Sequence, residues 1–401
     1  MHIFISKKAA GYDKDILITS TGEVQVSNLL DKEYTSNAWH FDEKYYKSIP
    51  NLSQLLEKEI SLIPKDKNIE WWKKYTNSPR VDILLGKNAF LSNLKAVIED
   101  VNRIIQIDES YTNTFYQNQN LLIDSLQNSF VDYKEVERLE IKDQIGDLKD
   151  FKTGMCHVPK YDNWSSSTGR MSILEGPKVL TMNKNNRHVF KSSFGDDGAL
   201  IGIDYKALEP RVLFTIAGND ASYEDLYTHI ANEAGINSIE RDVIKVMILS
   251  ILYGMSRKNF VMKFIETQDI DDIYDKLVLT LGLEKIKENI AKRREFDNEN
   301  VIKSFYGRTL KCDKSLEVNY YTQSSSVDVA CEGFLFFINN FCRYHDIKPL
   351  FIIHDELVVD VHKDKYNLLK QQAKEGLLIQ SLNTKFPVTT KVFNGRGNTN
   401  S

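Results

Sequence analysis

Apolar positions in the first 50 residues alternate weakly, and "DILITSTGEVQVSNLL" predicts two short strands around Thr21-Gly22. From about 51 to 150 the spacing changes. Apolar residues recur every three or four positions in "NLSQLLEKEISLI", "KNAFLSNLKAVIEDVNRIIQI" and "NTFYQNQNLLIDSLQNSFVDYKEVERLEI", which predicts long paired helices. The polar "NWSSSTGRMS" then predicts loop, and "GALIGIDY" predicts a buried strand. Pro210 follows Asp204 by six residues and suits the first turn of a helix, "EPRVLFTIAG". Residues 225–300 are patterned mostly as helix. "KPLFIIHDELVVDVHKDK" predicts a second strand pair over 350–362, cut by His354-Asp355-Glu356. Leu357 and Val359 alternating with Val358 and Asp360 predict that its second strand is half-buried. Both strand regions flank the helical 225–340 block, so interleaved lobes are expected.

Three polar constellations interrupt this pattern. In "IGIDYKALEPRVL", Asp204 ends the apolar strand, and Glu209 and Arg211 open the helix after it. An acid there can hold a metal at a sheet edge, although a plain strand-to-helix junction with a capping acid has the same pattern. In "ERDVIKVMILSILYG", Arg241, Lys245, Leu249 and Tyr253 are spaced four apart and form one helical stripe, with Ile244, Met247, Ile248 and Ile251 opposite. Two cations one turn apart suit a polyphosphate and the aromatic suits a stacked base, but a solvated basic face with a core tyrosine is the plain alternative. In "LFIIHDELVVDV", Asp355 falls at the tip of a strand-turn-strand, where Asp is also an ordinary turn residue. Should Asp204 and Asp355 meet at one sheet edge, they form the minimum set for two divalent ions about 3.5–4 Å apart. Hard oxygen ligands select Mg²⁺ over zinc.

Composition changes this picture little. The 401 residues are 42% apolar and 27% charged, as in an ordinary globular protein with two or three lobes. The formal net charge of −4 gives no global basic field, so any nucleic-acid contact has to come from a local groove. Cys156, Cys312, Cys331 and Cys342 have no C-x-x-C spacing and read as reduced thiols of a cytosolic protein. The start, "MHIFISKK", is too short in its apolar part for a signal peptide, and no run approaches a membrane span.

In this order the three constellations resemble motifs A, B and C of family A DNA polymerases, the bacterial polymerase I and T-odd phage type. Asp204-Tyr205 with Glu209 and Arg211 resembles motif A, Arg241-x-x-x-Lys245 with Tyr253-Gly254 motif B, and His354-Asp355-Glu356 motif C. "STGRMS" is similar to the family's T-G-R-[LM]-S element, "FYGRTL" to its G-R element, and "NYYTQSSSVDVA" to its Asn…Gln stretch. The resemblance covers roughly residues 165–400 and implies an α+β right hand. Its palm (an antiparallel sheet plus helices) is expected over 165–225 with 311–401. Helical fingers are expected over 226–310, with 240–254 as their moving helix, and a helical thumb within 51–164. Residues 1–50 are left as a short-strand region of unknown role.

The resemblance also implies function: template-directed addition of dNTPs to a primer 3′-OH, releasing pyrophosphate. Asp204 and Asp355, with the backbone carbonyl of Tyr205, are expected to hold two Mg²⁺, with Mn²⁺ as a substitute, and Glu356 to support them. Arg241 and Lys245 are expected to grip the triphosphate, with Lys245 as proton donor to pyrophosphate. Tyr253 and Leu249 are expected near the incoming nucleotide, and Glu209 at the sugar 2′ position. Arg170, Arg211, Arg308, Asn319, Gln323 and His354 are expected on primer-template DNA. Leu249 departs from the family's Phe or Tyr, which weakens stacking on the sugar and, with the compact chain, suggests phage DNA replication. Tyr227 in "EDLYTHIA" stands where the family has a triphosphate-binding histidine, and Lys206 and Ala207 replace a small residue and Gln. Asp31-Lys32-Glu33 has D-x-E spacing without a suitable strand before it, so no 3′–5′ exonuclease is expected in this chain. A monomer is expected, in the cytoplasm or in the host cytoplasm if phage-encoded; any helicase or processivity factor is left unidentified. The rivals are a non-catalytic DNA-binding relative, which should have lost a metal acid, and a single-subunit RNA polymerase, against which Glu209 and Asp355-Glu356 speak.

Overall fold

The computed structural model describes residues 2–5, 15–18, 24–27, 38–41, 115, 117–162, 166–295 and 298–395. The chain divides into two units, one of 1–109 with 162–165 and one of 110–161 with 166–401. In the first, the expected strand pair forms as Asp15–Ile18 antiparallel to Val24–Ser27. His2–Ile5 adds on antiparallel to Asp15–Ile18, and Ala38–Phe41 pairs parallel to it, giving four strands. Asp31-Lys32-Glu33 and the helices expected over 51–114 lie outside the described residues.

The second unit is built on a four-stranded antiparallel sheet. Its strands are β1 (Gly198–Tyr205), β2 (Lys348–Ile353), β3 (Glu356–His362) and β4 (Val388–Val392), in the order β2-β3-β1-β4. The register sets Asp204 against Glu356 on one side and Thr389 on the other. One sheet face carries Leu200, Val358 and Phe351 into a core with Val131, Val136, Ile145 and Phe190. The other presents Tyr205 to Phe334 of α4 (Glu317–Asn340), ring centres 5.1 Å apart. Each fully buried aliphatic or aromatic side chain in these layers contributes roughly 1.5–3 kcal/mol.

Two expectations are corrected here. Strand β3 is not half-buried: Glu356 through Val361 are all buried, because both faces of the sheet are covered. Asp360, on the face expected to be polar, is enclosed and accepts hydrogen bonds from Ser192 Oγ (2.5 Å) and the Ser193 amide (2.7 Å). Nor is the helical pattern over 113–141 continuous. A helix covers Gln117–Asp124, Phe130–Val131 is a strand paired with Phe190–Lys191, and Asp132 caps a new helix at Tyr133 by accepting from the Glu135 amide. This stretch belongs with the sheet unit and supplies the core under Leu200 and Phe351, not with the residues before 110.

The helices that follow β1 shape the site. Helix α1 (Leu208–Ile216) starts three residues after the strand, with Ala207 in the left-handed region at φ 52° and Pro210 in the first turn. Helix α2 (Leu226–Glu233) is capped by Asp225, and α3 (Arg241–Leu252) follows it. Ile244, Met247, Ile248 and Ile251 bury one face of α3, as the spacing predicts. Gly254 ends it at φ 80°, a position where an added Cβ would meet the Ser315 carbonyl oxygen at 2.8 Å.

Candidate active site

Asp204 arrives at the sheet edge as the penultimate residue of β1. Asp355 arrives from the two-residue turn between β2 and β3, in which His354 takes φ 56°. The Tyr205 amide donates to the Asp355 carbonyl oxygen (3.1 Å), tying the two segments together. Burial, and then the nearby charge of Asp204, push the Asp355 carboxyl up to about 6. A cation at this edge would relieve the charge that Asp204 sets against Asp355.

Glu356 lies behind this pair. It is buried, over Gly202, where a Cβ would sit 1.9 Å from its Oε1. Arg187 is 3.9 Å from one carboxylate oxygen and Lys391 3.4 Å from the other. Lys391 also reaches Asp204, with Nζ 2.8 Å from Oδ2. Burial raises the Glu356 carboxyl, and Lys391 opposes the shift. The side chain of Tyr205 turns away into the core, leaving only its backbone at the site.

Both acids open on a cavity of about 680 Å³. Its far wall is the exposed stripe of α3: Arg241, Lys245, half-buried Leu249 and Tyr253 all line it. Arg241 is held by Asp225 (Nε to Oδ2 2.6 Å), and its guanidinium stands 5.5 Å from the Tyr227 ring centre. Tyr227 is thus in the wall, whereas His229, two residues on, stacks on Tyr223 at 3.5 Å. Glu209, in the first turn of α1, bridges two elements: Tyr253 donates its hydroxyl to Oε2 (2.8 Å) and Arg170 donates to Oε1 (2.6 Å). Burial, and then Glu209, push the Tyr253 phenol up to about 12. His354 and Gln323 complete the mouth, where burial and then the field of Arg170 hold the His354 imidazole below its ordinary pKa.

Three sequence-selected residues do not offer their polar groups as expected. Arg211 has 0% exposure, and its guanidinium is satisfied by the carbonyl oxygens of Lys206 (2.5 Å), Ala221 and Glu224 (3.1 Å). It clamps the strand-to-helix junction to the α1–α2 loop and is corrected from a DNA contact to a structural residue. Arg308 is buried beneath Gly169, where a Cβ would come 2.5 Å from its Cζ, so it supports the "STGRMS" turn from below. Asn319 is half-buried on α4, one turn before Gln323, and its Oδ1 is enclosed with no hydrogen-bond partner among the described residues.

With the geometry in place, comparison with known proteins decides the family. A model described as DNA polymerase family A matches residues 92–399. The chain belongs to DNA polymerase family A. It is 22% identical over 278 residues to the DNA polymerase I of Aquifex aeolicus (strain VF5), an alignment covering 61% of this chain and 46% of that protein. The chain therefore spans about half the length of that relative. Its fold is similar to the POL domain of Pol1 from M. smegmatis, solved in complex with DNA primer-template and dNTP. That match has a TM-score of 0.54 at 12% identity and covers 98% of this chain and 95% of the other.

In this member of the family the donor set suits a hard divalent ion. Among the described residues no cluster of three or more His, Cys, Asp or Glu is arranged to hold a metal. Two carboxylates and a backbone carbonyl remain, the sparse set Mg²⁺ accepts when waters and substrate phosphates complete its shell. The Lys391 ammonium on Asp204 shows that the position accepts a cation. Lys391, Arg187 and Asp225 were not selected from the sequence. Period-two spacing in "VTTKV" puts Thr389 and Lys391 on one strand face, but nothing local reveals that β4 pairs beside Asp204. Among the described residues no helix is long and apolar enough to cross a membrane.

Proposed function

We propose that this chain is a DNA-directed DNA polymerase that adds dNTPs to a primer 3′-OH and releases pyrophosphate. The observation that carries this reading is the meeting of Asp204 and Asp355 at one sheet edge, across a single cavity from Arg241 and Lys245. Asp204, Asp355 and the Tyr205 carbonyl would hold two Mg²⁺, or Mn²⁺ in their place. The bound ions would supply Lewis-acid activation of the 3′-hydroxyl and charge neutralisation on the pyrophosphate. Arg241 and Lys245 bind the triphosphate, and Lys245, exposed in the wall, donates the proton that pyrophosphate takes up. Tyr253 and Leu249 border the incoming nucleotide. Glu209, fixed by Tyr253 and Arg170, stands against a sugar 2′-hydroxyl. Arg170, Gln323, Asn319 and His354 face the primer-template, with Arg308 supporting the turn that carries Arg170. Glu356 stays behind as the residue that positions the others.

In this reading β1–β4 and α4 are the palm and the helices over 226–292 the fingers, with α3 their nucleotide-facing element. Part of the thumb lies before 110. A phage replication setting rests on Leu249, and the expectation of no 3′–5′ exonuclease in this chain rests on reading Asp31-Lys32-Glu33 as a chance match. Primer extension with Mg²⁺ and four dNTPs tests the proposal, and a mismatched 3′ end in the same assay tests proofreading. Extension is expected with dNTPs and not with rNTPs. Extension with rNTPs alone would favour an RNA polymerase, and none with either would favour the non-catalytic relative.

A further inference from the structure

Lys391 makes a contact that the proposed reaction does not use. It enters from edge strand β4, in register with Gly202. Lysines on edge strands commonly point to solvent and blunt the edge. Here the ammonium turns inward, 2.8 Å from Asp204 Oδ2 and 3.4 Å from Glu356 Oε1. Gly202 makes this possible, because only a missing Cβ leaves room for Glu356 to lean across β1 toward the lysine.

The two cations beside the acids differ in kind. Arg187 is buried at 7% exposure, fixed behind Glu356 and packed on the Phe393 ring at 4.8 Å. Lys391 is a point charge on a flexible stem, with 44% of its side chain exposed. One is a permanent counter-ion; the other can leave.

We infer that Lys391 is an exchangeable internal cation of the acid pair: it neutralises Asp204 in the metal-free protein and competes with the divalent ion for that carboxylate. The inference rests on the two-carboxylate reading above. It makes Lys391 a positioning residue that sets the metal concentration the enzyme needs, and it predicts that the side chain swings toward solvent as metal binds.

The test is Mn²⁺ binding to chelator-stripped full-length protein without DNA, followed by the EPR signal of free Mn²⁺. Asp204→Asn identifies the site by removing one class of bound ion. Lys391→Met is expected to tighten that class about two- to sixfold, the range of a partly exposed ion pair removed as a competitor. Lys391→Arg, which keeps the charge, is expected to stay near wild type. In EDTA, Lys391→Met is expected to melt below wild type and to gain more than wild type on adding Mn²⁺, a pattern a merely loosened fold does not give. Unchanged or weaker Mn²⁺ binding in Lys391→Met, beside a normal Asp204→Asn loss, overturns the role of Lys391 and leaves the metal site standing. An Lys391→Arg protein that behaves like Lys391→Met also overturns it, since charge would then be irrelevant. Asp204→Asn binding Mn²⁺ like wild type overturns the metal site and this inference together.

Discussion

Asp355 carries two separable consequences. As a proposed metal ligand, its replacement by Asn should lower primer extension by about 10²–10³-fold, the scale on which removal of a charge-stabilising group acts. Primer-template binding, measured by gel shift or anisotropy, should stay within about threefold, and extension near wild type would reject the assignment. In the metal-free protein the same carboxyl is raised to about 6 by burial and then by Asp204, above the roughly 3.9 of an unfolded aspartate. A raised acid holds its proton more tightly when folded. Its stabilising contribution is therefore complete below about pH 4 and is lost as pH climbs through 6. Wild type in EDTA should lose on the order of 2 kcal/mol from this group between about pH 4 and pH 7. Asp355→Asn should not, so the stability difference in urea unfolding should open as pH rises; a constant difference contradicts the shift. Glu209 has its own test. It is fixed between Tyr253 and Arg170, so Glu209→Ala should raise the rNTP-to-dNTP incorporation ratio by at least about tenfold. An unchanged ratio would remove it as the 2′ gate.

Between elements, the decisive contact is the packing of α4 on the sheet. Gly333 lies where α4 passes over Tyr205, and a Cβ there would sit 2.1 Å from the phenol oxygen and 2.7 Å from Ile379 Cδ1. Tyr205 cannot yield, since its ring is packed on Phe334. Gly333→Ala should therefore cost about 1–3 kcal/mol in urea unfolding, as overpacked cores do. Removing the hydroxyl as well, in Gly333→Ala with Tyr205→Phe, should restore part of it; a loss under about 0.5 kcal/mol in the single variant would show that the helix shifts freely. This contact also marks the limit of what the sequence displays. The strand ending in Asp204, the turn at Asp355 and the stripe on α3 are local patterns, and each forms over its expected residues. Burial of β3 on both faces depends on layers contributed from 117–190 and from α4, so its period-two pattern misled. The two-residue strand at Phe130–Val131 is hidden inside a helical spacing and is decided by pairing with Phe190–Lys191. Arg211 reads as a cation for DNA until its three carbonyl partners, up to 13 residues away, are seen.

On the scale of the whole molecule, the acids at 204 and 355 come from distant parts of the chain and meet only because β1 and β3 are neighbours in the sheet. The helices between them bring Arg241 and Lys245 across the cavity. Charge is thereby sorted locally in a chain whose formal net charge is −4. Asp204 and Asp355 stand at the sheet edge with Lys391 against Asp204, and Arg241 and Lys245 stand on the exposed stripe of α3. In the proposed reading this local field, and not the global charge, governs association with a polyanion. Primer-template binding should then weaken with salt as if a handful of phosphates were neutralised, with a slope of log affinity against log salt between about −3 and −6. The slope should separate the cations by role. Arg170→Ala, on the proposed DNA side, should make it shallower by about one. Lys245→Ala, on the proposed triphosphate side, should leave the slope unchanged and raise the KM for dNTP. A flat salt dependence in the intact protein would mean that no phosphate-binding groove exists. Equal changes in slope for both variants would mean that the cavity does not divide nucleotide from DNA as proposed.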